Sequence, residues 1–125
     1  MGTVVLQNVS SANASQVAGT FALFALFFSV TAHLAARNVL GDVEVRRAVA
    51  VGPGIPAVSF VFVALGWPAV VAVPLALAVD FGLFRLLYGR PTRVTAYLTL
   101  IHVVVSIILG VIVFGLLALI QSAPG

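Results

Sequence analysis

The sequence contains no cysteine, no lysine and only nine charged residues among its 125. The missing cysteines exclude disulfide bonds, thiolate metal sites and dithiol redox chemistry. A soluble domain carries about 25% charged residues, whereas here the fraction is 7%, and 62% of the residues are hydrophobic. This composition predicts a protein embedded in lipid. It leaves no room for a nucleotide-binding domain, a nucleic-acid surface or a conventional hydrolase.

Four apolar runs predict four transmembrane helices, at residues 17–36, 48–65, 68–88 and 94–120. Each run reaches or nearly reaches the roughly 20 residues that cross a bilayer core, and the connections are short. We therefore predict an all-α, antiparallel bundle of four helices in a single transmembrane domain. The residues outside it are expected to form a flexible tail over 1–16 and a short tail over 121–125.

The six arginines lie in two segments that the four-helix topology places at one end of the bundle. The N-terminal tail, the Gly66-Trp67 turn and the C-terminal tail contain none; the arginines are Arg37, Arg46, Arg47, Arg85, Arg90 and Arg93. Because arginine-bearing loops stay on the cytoplasmic side, we expect a multi-pass plasma-membrane protein with both termini outside. In that orientation the outer tail carries two N-glycosylation sequons, at Asn8 and Asn13.

Asp80 is an ionisable residue inside the third predicted span. It lies eight residues before Tyr88, and a rise of about 1.5 Å per residue puts it roughly 12 Å below the inner interface. A charge at that depth is costly unless it is paired or faces water. His102 lies at the same depth on the antiparallel fourth span, so we predict that Asp80 faces His102. The pair is interpreted either as a structural hydrogen bond or as a proton or substrate site.

Small and polar residues recur on one face of the fourth span, and a similar face occurs on the first. Such faces let helix backbones approach closely and are expected to point into the bundle. The first span contributes Ala22, Ala25, Ser29, His33 and Ala36; the fourth contributes Thr95, Thr99, His102, Ser106 and Gly110. His33 is expected to be solvated near the inner boundary.

The second span contains a segment that an undistorted helix cannot hold. Gly52, Pro53, Gly54 and Pro56 fall within five residues, and each proline removes a backbone hydrogen bond. We predict a kinked or broken helix. One interpretation is an amphipathic cytoplasmic helix, capped by Asp42, that bends here into the membrane; the other is a discontinuous helix whose free carbonyls line a site.

Four short stretches carry a resemblance to a group of proteins. They are residues 31–37, residues 41–47, Ala78-Val79-Asp80-Phe81 and Ile101-His102-Val103-Val104. With the exclusive use of arginine and the four-span layout, these stretches resemble small uncharacterised membrane proteins of halophilic archaea. The resemblance implies no known activity.

Three functions are compatible with these features. No catalytic residue is predicted, and no metal site is predicted apart from the haem hypothesis. The first is a structural or accessory subunit, surrounded by lipid, that associates with itself or with a larger membrane complex. The second is a small transporter or proton-linked protein that uses Asp80 and His102. The third is a haem b anchor with His33 and His102 as axial ligands; apart from that hypothesis, no cofactor is predicted. No enzymatic activity and no nucleic-acid partner are expected.

Overall fold

The computed structural model describes residues 2–123 and, among these, the side chains of residues 14–123. Over that range the protein is all helical. The helices are α1 (Gly2–Leu40), α2 (Val45–Val51), α3 (Gly54–Leu65), α4 (Ala69–Tyr88) and α5 (Thr92–Ser122). Helix α1 packs on α2, α3 and α5, while α4 packs on α2, α3 and α5. The predicted helical fold class is confirmed.

Within the described residues, four helical segments are long and apolar enough to cross a membrane. They are Ala14–Leu40, Val45–Leu65, Ala69–Tyr88 and Thr92–Ser122, close to the four spans predicted from hydropathy. The main difference lies at the N-terminus, where α1 begins at Gly2 and continues through most of the segment predicted as a tail. No proline interrupts the chain there. The side chains of Asn8 and Asn13 lie outside the described ones, so their modification stays a prediction.

Glycines with positive φ follow three of the spanning segments, and the first is Gly41 after α1, with φ of 85°. Gly66 after α3 and Gly89 after α4 adopt φ of 69° and 61°, a left-handed conformation that glycine adopts without steric cost. The Gly89 N–H donates to the Arg85 carbonyl oxygen at 3.0 Å. These turns reverse the chain and make α4 antiparallel to both α3 and α5.

The predicted break in the second span is present between α2 and α3. Pro53 and Pro56 carry no N–H, so the carbonyls of Val49 and Gly52 lose their usual helical donors. A Cβ added to Gly52 would lie 2.5 Å from the Ala25 carbonyl oxygen of α1. Glycine at this position therefore lets the broken helix cross α1 at very short range.

The expected cap at Asp42 is wrong. Helix α2 begins after Glu44, and no side chain caps it. The Glu44 carboxylate instead pairs with Arg46 at 2.6 Å, which keeps it away from the free backbone N–H groups of the first turn. Helix α2 is also short and contributes the buried residues Ala48 and Val51, so it is the first part of the broken span.

The core lies in the half of the bundle next to the arginine-bearing loops. Its buried hydrophobic residues are Ala32, Ala35, Ala36, Ala48, Val51, Phe84, Tyr88 and Leu98. In contrast, every residue of α5 from 111 onward is exposed. Alanine allows α1, α2 and α5 to approach closely at one end, whereas the other end presents large apolar side chains outward. We call these the inner and the outer half.

Candidate functional site

Asp80 lies on the buried face of α4. Asp80, Phe84 and Tyr88 follow at intervals of four residues and are all buried, as expected for one face of a helix with 3.6 residues per turn. Asp80 is 1% exposed. Asp80 lies one turn outward from Phe84, on the same helix face that supplies Phe84 and Tyr88 to the core.

The structure brings Asp80 and His102 together, as the depth argument predicts. His102 Nδ1 lies 2.6 Å from Asp80 Oδ2, and both side chains are 1% exposed. An ionised carboxylate only accepts hydrogen bonds, so Nδ1 carries the hydrogen toward an ionised Asp80. In neutral His102 this leaves Nε2 as an acceptor.

Thr31 of α1 occupies the other side of the imidazole ring. Its Oγ1 lies 2.9 Å from His102 Nε2, and Ser106 Oγ of α5 donates to the same oxygen at 3.0 Å. Asp80, His102, Thr31 and Ser106 form what we call the buried polar network, which joins α1, α4 and α5. Asp80 Oδ1 finds no hydrogen-bond partner among the described residues.

Sequence reasoning missed Thr31. The face chosen on the first span contains Ser29 and His33, and Thr31 lies between those two positions on a different side of the helix. Thr31 meets His102 across 71 residues of sequence, so no local spacing links them. The alanines near Thr31 could have indicated its position. Ala32 and Ala35 are fully buried, and such small residues occur where α1 approaches its neighbours.

Two aromatic rings enclose His102. The Phe28 and Phe84 ring centroids lie 6.1 and 5.2 Å from that of the imidazole, with the ring planes nearly perpendicular. Such edge-to-face contacts are favourable. They place apolar groups next to the imidazole, whose two nitrogens face Asp80 and Thr31.

The other predicted polar residues of α5 point into the bundle without joining the network. Thr95 and Thr99 are buried, and their hydroxyls donate to carbonyl oxygens of Pro91 and Thr95 one turn earlier. Gly110 lies one turn beyond Ser106, where a Cβ would lie 3.8 Å from Phe27. Most of the predicted polar face of α5 is therefore buried inside the chain's own bundle.

Ser29 and His33 lie on another side of α1. The Ser29 hydroxyl donates to the Ala25 carbonyl at 2.7 Å. His33 is half-buried beside a cavity of 190 Å³ between α1 and α2, lined also by Val45 and Val49. Its Nδ1 is buried and unpaired within the described part of the chain. His33 is therefore less solvated than expected, because α2 covers that face.

The arginines lie at one end of the structure, in or beside two loops. Arg47 is half-buried, and its guanidinium lies 5.9 Å from the centre of the Tyr88 ring. Arg85 is exposed and donates to Thr92, so it pairs with the next helix and not with Asp80. The remaining arginines are all exposed; they are Arg37, Arg46, Arg90 and Arg93.

The glycines of the helix break contact neighbouring helices. Gly52 meets the backbone of α1, and a Cβ on Gly54 would lie 2.5 Å from Leu83 Cδ1 of α4. Farther out, residues of α1, α3, α4 and α5 line an apolar cavity of about 520 Å³. Phe28 and Val103 line its inner part, next to His102, and Trp67 lines it near the outer turn.

The hydrogen bonds of the network run from an acid to a histidine to a hydroxyl, which is also their order in a catalytic triad. Thr31 is fully buried, however, and a nucleophile must reach its substrate. The arrangement is better suited to holding and passing a proton, because each hydroxyl can both donate and accept.

The residues do not fit a haem held by two histidines. Both ring nitrogens of His102 already have protein partners, Asp80 and Thr31. His33 lies in the separate cavity between α1 and α2. Within residues 2–123, no three His, Cys, Asp or Glu side chains gather where they could hold a metal ion.

The fold defines an all-helical protein whose four long apolar helices are compatible with an integral membrane protein. The chain belongs to DUF7473, a family of unknown function, whose model matches residues 11–124. No curated protein and no solved structure matches the chain significantly.

Proposed function

We propose that the protein is a small proton-linked membrane protein whose functional centre is the buried polar network. The supporting observation is the set of partners around Thr31 Oγ1. That oxygen lies 2.9 Å from His102 Nε2 and 3.1 Å from the Phe28 carbonyl oxygen. Thr31 can donate to Nε2 when His102 is neutral. It can accept from Nε2 and donate to Phe28 when His102 is protonated.

Both protonation states of His102 are thus satisfied without any movement of the helices. A pair that served only to fix helix packing would need partners for one state alone. Ser106 donates to Thr31 in either state, and Asp80 accepts from Nδ1 in either state. An intramembrane ionisable group is by default a candidate for function, and this arrangement supports that interpretation.

The accessory-subunit hypothesis has less specific support. It depends on small and polar faces of the first and fourth spans that would be free to meet a partner. Ser29, Thr95 and Thr99 are instead buried within the chain's own bundle. Self-association, or membership of a larger complex, would have to use the exposed apolar surface of the outer half, which lipid also covers well.

The proposal includes the orientation and the setting that the sequence suggests. The six arginines gather at one end of the bundle, which would be cytoplasmic in a plasma membrane, with both termini outside. The chain resembles small membrane proteins of halophilic archaea, and we propose the same membrane setting for it.

The first experiment measures the protonation state of His102 in reconstituted membranes. His33→Gln leaves His102 as the only histidine, since the chain has two. Its imidazole ¹⁵N signals distinguish neutral from protonated rings, and both forms should be detected across the pH range in which the protein stays folded. One unchanging form across that range would identify the network as a structural clamp.

The second experiment measures proton flux with a pH-sensitive dye trapped in proteoliposomes. The wild-type protein should carry protons faster than protein-free vesicles, and Asp80→Asn should remove that excess. Ser59→Ala is the control, because the Ser59 hydroxyl is exposed and donates to Ile55 of its own helix. Equal flux for wild type and Asp80→Asn would contradict the proposal.

A further inference from the structure

The inner side of the network is closed by close packing. One turn inward from Asp80, His102 and Thr31 lie Phe84, Leu98 and Ala35, each with no exposed surface. Tyr88, one turn farther in, is 6% exposed, and its hydroxyl meets no hydrogen-bond partner among the described residues. Thr99 and Thr95 also lie between the network and the arginine-bearing end, but their hydroxyls donate to backbone carbonyl oxygens at the preceding turn. Among the described residues, no side-chain hydrogen bond connects them to His102.

The network itself leads the other way. Ser106 lies four residues after His102, about 6 Å nearer the outer end of α5. It is half-buried, whereas Asp80, His102 and Thr31 are fully enclosed. The hydrogen bonds run from His102 to Thr31 and then to Ser106, so the most accessible member is also the outermost.

The surroundings of Ser106 are more open than those of Asp80. Ser106 is half-buried, whereas Asp80 is 1% exposed. The cavity of about 520 Å³ lies in this half and is lined by Val103 and Ile107, and Ser106 lies on the neighbouring side of α5. The outer half therefore contains space within one turn of Ser106, in contrast to the close-packed inner half.

We infer that protons enter and leave the network from the end of the bundle opposite the arginines, through Ser106 and Thr31. Both hydroxyls are positioning residues that connect His102 to that side. The inference rests on the proposed function, and it adds the end of the bundle from which protons reach His102.

The charged and titratable groups on the packed helices do not offer an inner alternative. On α4, Arg85 is exposed and bonded to Thr92. On α1, His33 lies beside the separate cavity formed with α2, and Arg37 is exposed. The remaining groups are Arg46 and Arg47 at the inner end of α2, Tyr88 at the inner end of α4, and Arg93 and Tyr97 on α5; α3 has none.

The test uses the absence of cysteine from the chain. Ser106→Cys places a thiol at the proposed entrance, and Ala35→Cys places one in the inner core with little change in volume. Silver ion, close to water in size, is added to one side of sealed vesicles of known orientation. The protein is then denatured and labelled with a maleimide. A thiol that silver has reached is protected, which means that it no longer reacts with the maleimide.

Silver added at the end opposite the arginines should protect Ser106→Cys, and silver added at the arginine end should protect neither thiol. Protection of Ala35→Cys from the arginine side would overturn the inference. So would a Ser106→Cys thiol that is reached from the arginine side or from neither side. These outcomes concern access alone, so they are distinct from the failure of His102 to exchange protons.

A second measurement covers the case in which Ser106→Cys folds poorly. Ser106→Ala should slow proton exchange at His102 by roughly 2- to 12-fold, the equivalent of one hydrogen bond, and Ser106→Thr should restore the rate. An unchanged rate in Ser106→Ala would remove Ser106 from the path.

Discussion

Thr31→Val is the substitution that most directly measures what the network contributes to stability. Valine has nearly the shape of threonine but no hydroxyl, so the change removes the bonds to His102 and Ser106 while preserving packing. An intramolecular hydrogen bond contributes about 0.5–1.5 kcal/mol, and a buried group left unpaired costs about 1–3 kcal/mol. Hydrogen bonds between transmembrane helices average nearer 0.6 kcal/mol. We therefore expect Thr31→Val to lower the free energy of unfolding by about 1–3 kcal/mol.

Thr99→Val is the matched control. Thr99 is also buried, at 8% exposed, but its hydroxyl bonds only to the Thr95 carbonyl of its own helix. Its loss should cost less than about 1 kcal/mol. Both variants would be compared by reversible unfolding in mixed micelles. If the two free-energy changes agree within about 0.5 kcal/mol, the bonds between helices contribute nothing measurable, and the reasoning from the network geometry is wrong.

Two further predictions concern packing and topology. Gly52→Ala should destabilise the protein by about 1–3 kcal/mol in the same unfolding assay, through overpacking against α1. The control is Gly115→Ala, which should be neutral or mildly stabilising because a Cβ there meets no atom within 4 Å. Equal effects of the two substitutions would refute the close crossing of α1 by the broken helix. An impermeant thiol reagent outside intact cells should label Ala123→Cys but not Asp42→Cys. The opposite labelling would reverse the proposed orientation.

The sequence predicts the helical fold because apolar runs and short connections are local properties. The break at Gly52-Pro53 is also local, since proline removes a hydrogen bond wherever it stands in a helix. The contact between Asp80 and His102 is predictable for a different reason. Two helices joined by a short turn place residues of equal distance from that turn at equal depth.

The remaining contacts depend on how helices distant in sequence rotate against each other. The position of Thr31 against His102 is set by the packing of α1 on α5, where small residues such as Ala32 and Ala35 allow close approach. No spacing within either helix encodes that rotation. The cap expected at Asp42 failed for a similar reason, because the loop geometry and the pairing of Glu44 with Arg46 decide where α2 begins.

The unequal packing of the two halves has a consequence for how the protein can vary. In the inner half, Ala32, Ala35, Ala36 and Ala48 are fully buried, so a side chain as large as leucine at any of them would push helices apart beneath the polar network. In the outer half the apolar side chains face outward, and their exchange for other apolar residues alters contact with lipid but not helix positions. The outer surface can therefore change while the geometry around His102 is preserved.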